Sequence, residues 1–129
     1  MNITEAVRLL RKIKAYRPHQ EMDEFTAEAW AEILEDVGYV DANEAVKQLG
    51  SEIPYIGTDD VAKRVRQIRT RRVTDGEADL IPDPDFTVPQ YLAWLRDSRR
   101  RLADGETAGE INGPQPELKS RNLRALGAA

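Results

Sequence analysis

A chain of 129 residues, 40% hydrophobic and 33% charged and without an internal repeat, has the composition of one small water-facing domain with appendages. Its net charge of −4 argues against a protein made chiefly to coat nucleic acid, and the absence of cysteine excludes disulfides, thiolate metal sites and cysteine nucleophiles. No apolar run is long enough to span a bilayer and no signal-peptide pattern follows Met1, so a cytoplasmic protein with no membrane partner is expected.

Charge is strongly segregated. Residues 1–17 sum to +4, residues 18–52 to −9 and residues 61–73 to +6. Such a patchwork suits contacts with proteins at least as well as contacts with DNA.

The first predicted helix covers 2–16. Asn2 and Glu5 stand at capping-box spacing, and Ile3, Ala6, Val7, Leu10 and Ile13 form one apolar stripe. Arg8, Arg11, Lys12 and Lys14 lie outside it, and Pro18 ends the helix because proline disfavours helical geometry at the residue before it. His19, the single histidine, falls in a polar loop with no second histidine or cysteine to complete a metal site. A second helix is expected from Asp23 or Thr26 to about Asp36, with Ala27, Trp30, Ile33, Leu34 and Val37 inward and an acidic exterior of Glu28, Glu32, Glu35 and Asp36. Gly38 reads as its stop. A third helix is expected to start at Asp41, with Glu44 completing its box, Ala45, Val46 and Leu49 inward, and Gly50 as its end. Residues 51–57, SEIPYIG, read as an extended connection whose Tyr55 and Ile56 cap the bundle.

Residues 58–73 form the most distinctive stretch. Thr58 is an N-cap, Asp59 and Asp60 put negative charge on the first turn, and the cations gather toward the other end, as the helix dipole favours. Val61, Val65 and Ile68 make a narrow stripe. Lys63, Arg64, Arg66, Arg69 and Arg71 fill the arc that it leaves free, and Arg72 overlies the stripe where the helix leaves the core. This basic side is either a solvated face balancing acidic neighbours or a surface for DNA backbone or an acidic partner.

Residues 74–86 are rich in Asp, Glu, Pro and Gly, lack a period and read as an acidic linker able to fold back on the arginines. Residues 87–104 form a further amphipathic helix. Thr87 and Gln90 box its start, Gly105 stops it, and Val88, Tyr91, Leu92, Leu95 and Leu102 make a stripe that should dock on the bundle or on a partner. Arg96, Arg99, Arg100 and Arg101 form a second cationic cluster. Residues 105–129 read as a disordered tail with one amphipathic island, in which Leu118, Leu123 and Leu126 have loosely helical spacing beside Arg121 and Arg124. The fold class is therefore all-α: a bundle of about four helices over 1–73, a linker, a fifth helix and a flexible tail.

No phosphate-binding glycine loop, metal-spaced His set or Ser/His/Asp arrangement is present, so no enzyme, catalytic residue, metal or cofactor is expected. A nucleoside triphosphatase of the Walker A type is excluded on the same ground. The order of pieces, with Thr4-Glu-Ala-Val-Arg-Leu-Leu10, then Trp30-Ala-Glu-Ile-Leu34-Glu-Asp36-Val-Gly-Tyr39-Val-Asp41-Ala42-Asn-Glu-Ala45-Val46, Pro54-Tyr-Ile-Gly-Thr-Asp-Asp60-Val61 and Arg64-Val65-Arg66-Gln-Ile68-Arg69, resembles the small helical proteins of phages and prophages grouped as replicative helicase loaders and inhibitors. The resemblance covers 1–72. It implies a helical N-terminal domain, a flexible C-terminal part that engages the hexameric replicative helicase in the cytoplasm of a bacterial host, and delivery of that helicase to an origin-binding initiator or to DNA. By region, the resemblance places the helicase contact in 105–129 without fixing individual residues, and Leu118, Arg121, Leu123, Arg124 and Leu126 of the amphipathic island are the candidates chosen there.

Two other classes stay open at this point. One is a small DNA-binding regulator using the basic helix 59–73, although the seven-residue connector before it is longer than a helix-turn-helix uses and Gln67 is its only base-reading amide. The other is a phage assembly adaptor.

Overall fold

Residues 1–113 are described by the computed structural model, and every regular element among them is a helix. In chain order these are α1 (Ile3–Tyr16), α2 (Thr26–Ile33), α3 (Tyr39–Leu49), α4 (Thr58–Glu77), α5 (Val88–Ala103) and α6 (Ala108–Asn112). The chain divides into two units, Met1–Ile68 and Arg69–Ala129, so that the first part of α4 belongs to one and its last turns to the other.

The first unit is built around α1. Asn2 and Glu5 form the expected reciprocal cap, with Glu5 N–H donating to Asn2 Oδ1 at 2.8 Å and Asn2 N–H donating to Glu5 Oε1 at 3.0 Å. α1 packs against α2 and α3, and its Ala6, Leu9, Leu10 and Ile13 meet Trp30, Ala31, Leu34, Ala42, Ala45, Val46, Leu49, Ile56, Val61 and Val65 in one core. Leu9 lies outside the expected stripe and is fully buried, whereas Ile3 is exposed. A core on both sides of α1 widens the apolar arc beyond one line of residues.

α2 is shorter than its periodicity predicts. It ends at Ile33, and Leu34 to Asp36 turn away, so Gly38 is not its stop and Ile33 is not core: it is 63% exposed. The carbonyls of Leu34, Glu35 and Val37 accept hydrogen bonds from the amino group of Met1 at 2.9, 3.0 and 2.8 Å, which satisfies backbone acceptors that a longer helix would otherwise have used. Gly38 instead precedes α3 in an extended conformation, and α3 starts at Tyr39 with no side-chain cap, two residues before the expected Asp41 box.

In the connector, Ile56 is fully buried but Tyr55 stays 60% exposed, so only Ile56 closes the core. Ile56 is held by Gln20, which follows His19 in the polar loop after α1. Gln20 is 5% exposed; its Oε1 accepts from Ile56 N–H at 2.9 Å and its Nε2 donates to Ile56 O at 2.7 Å. Arg17 adds a bond from Nε to Ile53 O at 2.7 Å. Thr58 is the first helical residue of α4 rather than its cap, and the reach back is made by Asp60, whose Oδ2 accepts from Gly57 N–H at 2.9 Å.

In the second unit α4 continues through Thr74–Glu77, residues read as linker. Thr74 Oγ1 donates to Thr70 O at 3.1 Å, and Gly76 lets Leu102 of α5 approach so closely that a Cβ at this position would lie 2.7 Å from Leu102 Cδ2. α5 begins with the expected Thr87–Gln90 box and buries Ser98 and Leu102. Leu95 of its stripe is half-buried, and the first turns do not dock among the described residues: Val88, Tyr91 and Leu92 are 73%, 39% and 52% exposed. Residues 105–113, read as disordered, form a turn and α6. Thr107 Oγ1 caps α6 by accepting from Glu110 N–H at 3.1 Å, and the Asn112 amide accepts from Ile81 N–H and donates to Asp79 O, each at 2.9 Å.

Candidate partner-binding surfaces

The basic side of α4 is best taken unit by unit. In the first unit Lys63 and Arg66 are exposed and make no ion pair among the described residues. Arg64 is engaged: its guanidinium forks onto both carboxylate oxygens of Glu52 and also donates from Nη1 to Gln48 Oε1 at 3.1 Å. The hydrogen bonds from Arg64 hold the Glu52 carboxyl below its ordinary range and, reciprocally, raise the guanidinium.

In the second unit the arginines are largely occupied within the chain. Arg69 Nη2 donates to Asp104 Oδ1 at 2.7 Å, Arg72 Nη1 donates to Ala103 O at 2.9 Å, and Arg71 stands 3.9 Å from Asp75 one turn along. Of the second cluster, Arg99 pairs with Glu77, Arg100 with Asp97, and Arg101 with Glu106 through Nε at 2.6 Å and Nη2 at 3.2 Å. The Arg101 fork keeps Glu106 below the usual carboxylate range. Arg96 is exposed and makes no ion pair among the described residues. Asp75 and Glu77, two acids of the expected linker, thus meet arginines from within α4.

The exposed start of α5 carries an aromatic cluster. The Trp94 ring lies 6.1 Å from Phe86 and 5.9 Å from Tyr91, both tilted, beside exposed Val88 and Leu92. Leu118, Arg121, Leu123, Arg124 and Leu126 lie outside the described residues. His19 is exposed in a turn between α1 and α2.

One surface has no counterpart among the sequence-based expectations. Phe25, Ile33 and Tyr55 are 64%, 63% and 60% exposed, and with Ala29, Trp30 and Thr58 they line an open groove of about 430 Å³ along α2. The helical period gave Ile33 to the core and left Phe25 unassigned. The available signal was α2 itself, whose apolar residues at 25, 27, 29, 30, 31, 33 and 34 exceed one face. No described helix is long and apolar enough to cross a membrane.

Residues 1–55 match the family model for the N-terminal domain of the phage gene 39 protein. No curated protein and no solved structure matches the chain.

Proposed function

We propose, from the match of residues 1–55 to the N-terminal domain of the gene 39 protein family of phage helicase loaders and inhibitors, that the protein is a non-enzymatic adaptor. It binds the hexameric replicative helicase and restrains or loads it during phage DNA replication. The family match is the observation that carries this reading, and it agrees with the resemblance drawn from Trp30 to Val46 and Pro54 to Arg69. The helicase contact is assigned to the tail, with Leu118, Leu123 and Leu126 as apolar anchors and Arg121 and Arg124 beside them. A segment that orders on binding gives a reversible contact, because its ordering entropy opposes the gross interaction energy. A loader has to release its helicase, so reversibility fits the task.

The pairing of Arg64, Arg69, Arg99, Arg100 and Arg101 with carboxylates favours an adaptor over a DNA clamp. An arginine already forked onto a carboxylate must lose that partner before it can neutralise a phosphate. Lys63, Arg66 and Arg96 remain as candidates for a subsidiary contact with DNA backbone or with an origin-binding initiator.

The test is size-exclusion chromatography with light scattering of the full chain mixed with the cognate helicase and ATP. It is repeated with Leu118→Ser/Leu123→Ser/Leu126→Ser. A complex formed by the wild type and lost in the variant supports the tail assignment. Equal binding by both moves the contact to the helical units, and no binding by either removes the helicase reading. Unwinding by the helicase, measured with and without the protein, then separates loading from inhibition.

A further inference from the structure

We propose that the groove along α2 is a second docking site, distinct from the helicase-binding tail, and that its occupant is a basic amphipathic helix of a partner protein. Single exposed apolar side chains are ordinary on a soluble protein. Here three large ones, Phe25, Ile33 and Tyr55, are each at least 60% exposed and converge on one concavity floored by Ala29 and Trp30. An eight-residue α2 is about 12 Å long, so the groove matches two or three turns of a single helix laid along it.

The charge around the groove fixes the chemistry of the occupant. Asp23 lines the groove, and Glu28, Glu32 and Asp59 flank its lining residues in sequence and are exposed. None of the three flanking acids is in an ion pair among the described residues, whereas most helix-borne acids of the second unit find an arginine. Among the described residues no cation lines the groove itself, and one, Lys14, lines the adjoining pocket that shares Asp23, Thr26 and Tyr55 with it. An apolar floor whose surround carries more acids than cations accepts a helix with apolar residues at i, i+3, i+4 and i+7 and Lys or Arg flanking them, and it repels an acidic helix. The site therefore selects by charge as well as by apolar fit.

The probe is a synthetic peptide of about 14 residues, roughly four helical turns, with leucines at that spacing and lysines elsewhere, titrated into the ¹⁵N-labelled full chain. Chemical-shift changes are expected at the amides of Phe25, Ala29, Ile33 and Tyr55. The double variant Phe25→Ser/Tyr55→Ser should weaken binding at least tenfold with the thermal midpoint unchanged, since both side chains lie on the surface. Glu28→Gln/Glu32→Gln should weaken it several-fold at low salt and flatten its salt dependence. The proposal is overturned if a Lys→Glu version of the peptide binds equally well, or if the shifts fall elsewhere. It is likewise overturned if Phe25→Ser abolishes self-association of the free protein, which would make the occupant a second copy. If Leu118→Ser/Leu123→Ser/Leu126→Ser moves the same amides without peptide, the occupant is the protein's own tail and the proposal fails. No helicase enters these measurements, so their failure and the failure of the helicase reading are separable.

Discussion

Gln20 shows how one side chain can decide the path of a loop. The connector 51–57 has no regular structure to satisfy its backbone, yet Ile56 is fully buried and brings its N–H and C=O with it. A primary amide has one acceptor and one donor group at the right separation to meet both, and Gln20 does so at 2.9 and 2.7 Å. Replacing it by leucine of similar size leaves two buried backbone groups unpaired, so Gln20→Leu should lower unfolding free energy by about 1–3 kcal/mol in urea titrations. Gln20→Glu should cost more near neutral pH, because the carboxylate offers Ile56 O no donor and brings charge into the interior. A loss within a few tenths of a kcal/mol for both would show that water takes over the role. The Glu52–Arg64 fork makes a pH-dependent contribution. Its folded-state carboxyl is lowered by the Arg64 hydrogen bonds, so the pair stabilises the fold above the unfolded carboxylate range, and the contribution fades as pH falls through the folded value. The difference in thermal midpoint between wild type and Glu52→Gln should therefore shrink between about pH 7 and about pH 3. A difference constant over that span would place the effect in packing rather than in charge.

Among the elements, α4 and α5 show what a sequence can and cannot announce. The start of α5 was legible because capping chemistry is local, and Thr87 with Gln90 needs no knowledge of the rest of the chain; at α4 the position of the start was legible, but its reach back is made by Asp60 to Gly57 and not by Thr58. The end of α5 was legible too, in Gly105, which has φ +106°, whereas the end of α4 and the neighbours of both helices were not. Gly76 reads as a linker residue by composition, but it is helical, and its missing Cβ is the space that Leu102 occupies from 26 residues further on. Likewise Thr107 and Glu110 carry a cap signal that the surrounding polar tail obscured, and the bonds of Asn112 to Asp79 and Ile81 have no local trace. The candidate surfaces divide in the same way. The basic arc of α4 was readable from its spacing, whereas the carboxylate partners that engage most of it lie 12 to 35 residues away or on a neighbouring turn. Phe25 and Tyr55 belong to no periodic stripe; the apolar excess of α2 signalled that some of its residues must be exposed, but which ones became plain only with α2 stopping at Ile33. Gly76→Val places a branched side chain where Leu102 now sits. It should destabilise the second unit by about 1–3 kcal/mol, followed through Trp94 fluorescence in a Trp30→Phe background. An unchanged midpoint would mean that Leu102 finds another rotamer at no cost.

At the scale of the whole molecule, the two units rest on different forces. The first buries fourteen hydrophobic residues in one continuous core, from Ala6 to Val65. Among the described residues of the second, only Leu102 and Ala108 are buried hydrophobics, and its helices are tied instead by exposed arginine–carboxylate pairs and side-chain-to-backbone hydrogen bonds. Exposed ion pairs contribute roughly 0–1 kcal/mol each and weaken with salt, whereas burial of a large apolar side chain contributes about 1.5–3 kcal/mol. The second unit should therefore open at lower free energy than the first. On the adaptor reading proposed above, the durable structure holds the family-matched residues 1–55, and the yielding structure directly precedes in sequence the tail proposed to contact the helicase. Native-state hydrogen exchange distinguishes the two. Amides of Leu10, Ile13, Val46 and Leu49 should exchange only through global unfolding, while those of α5 and α6 should exchange about 100-fold faster or more through a partial opening. Raising the salt should accelerate exchange in α5 and α6 and leave α1 and α3 nearly unchanged, because screening acts on the pairs of Arg69, Arg99 and Arg101 and scarcely on the core. Equal protection and equal salt response across all the described helices would mean that the two units unfold as one, and that the ion pairs carry far more of the second unit's stability than their exposure allows.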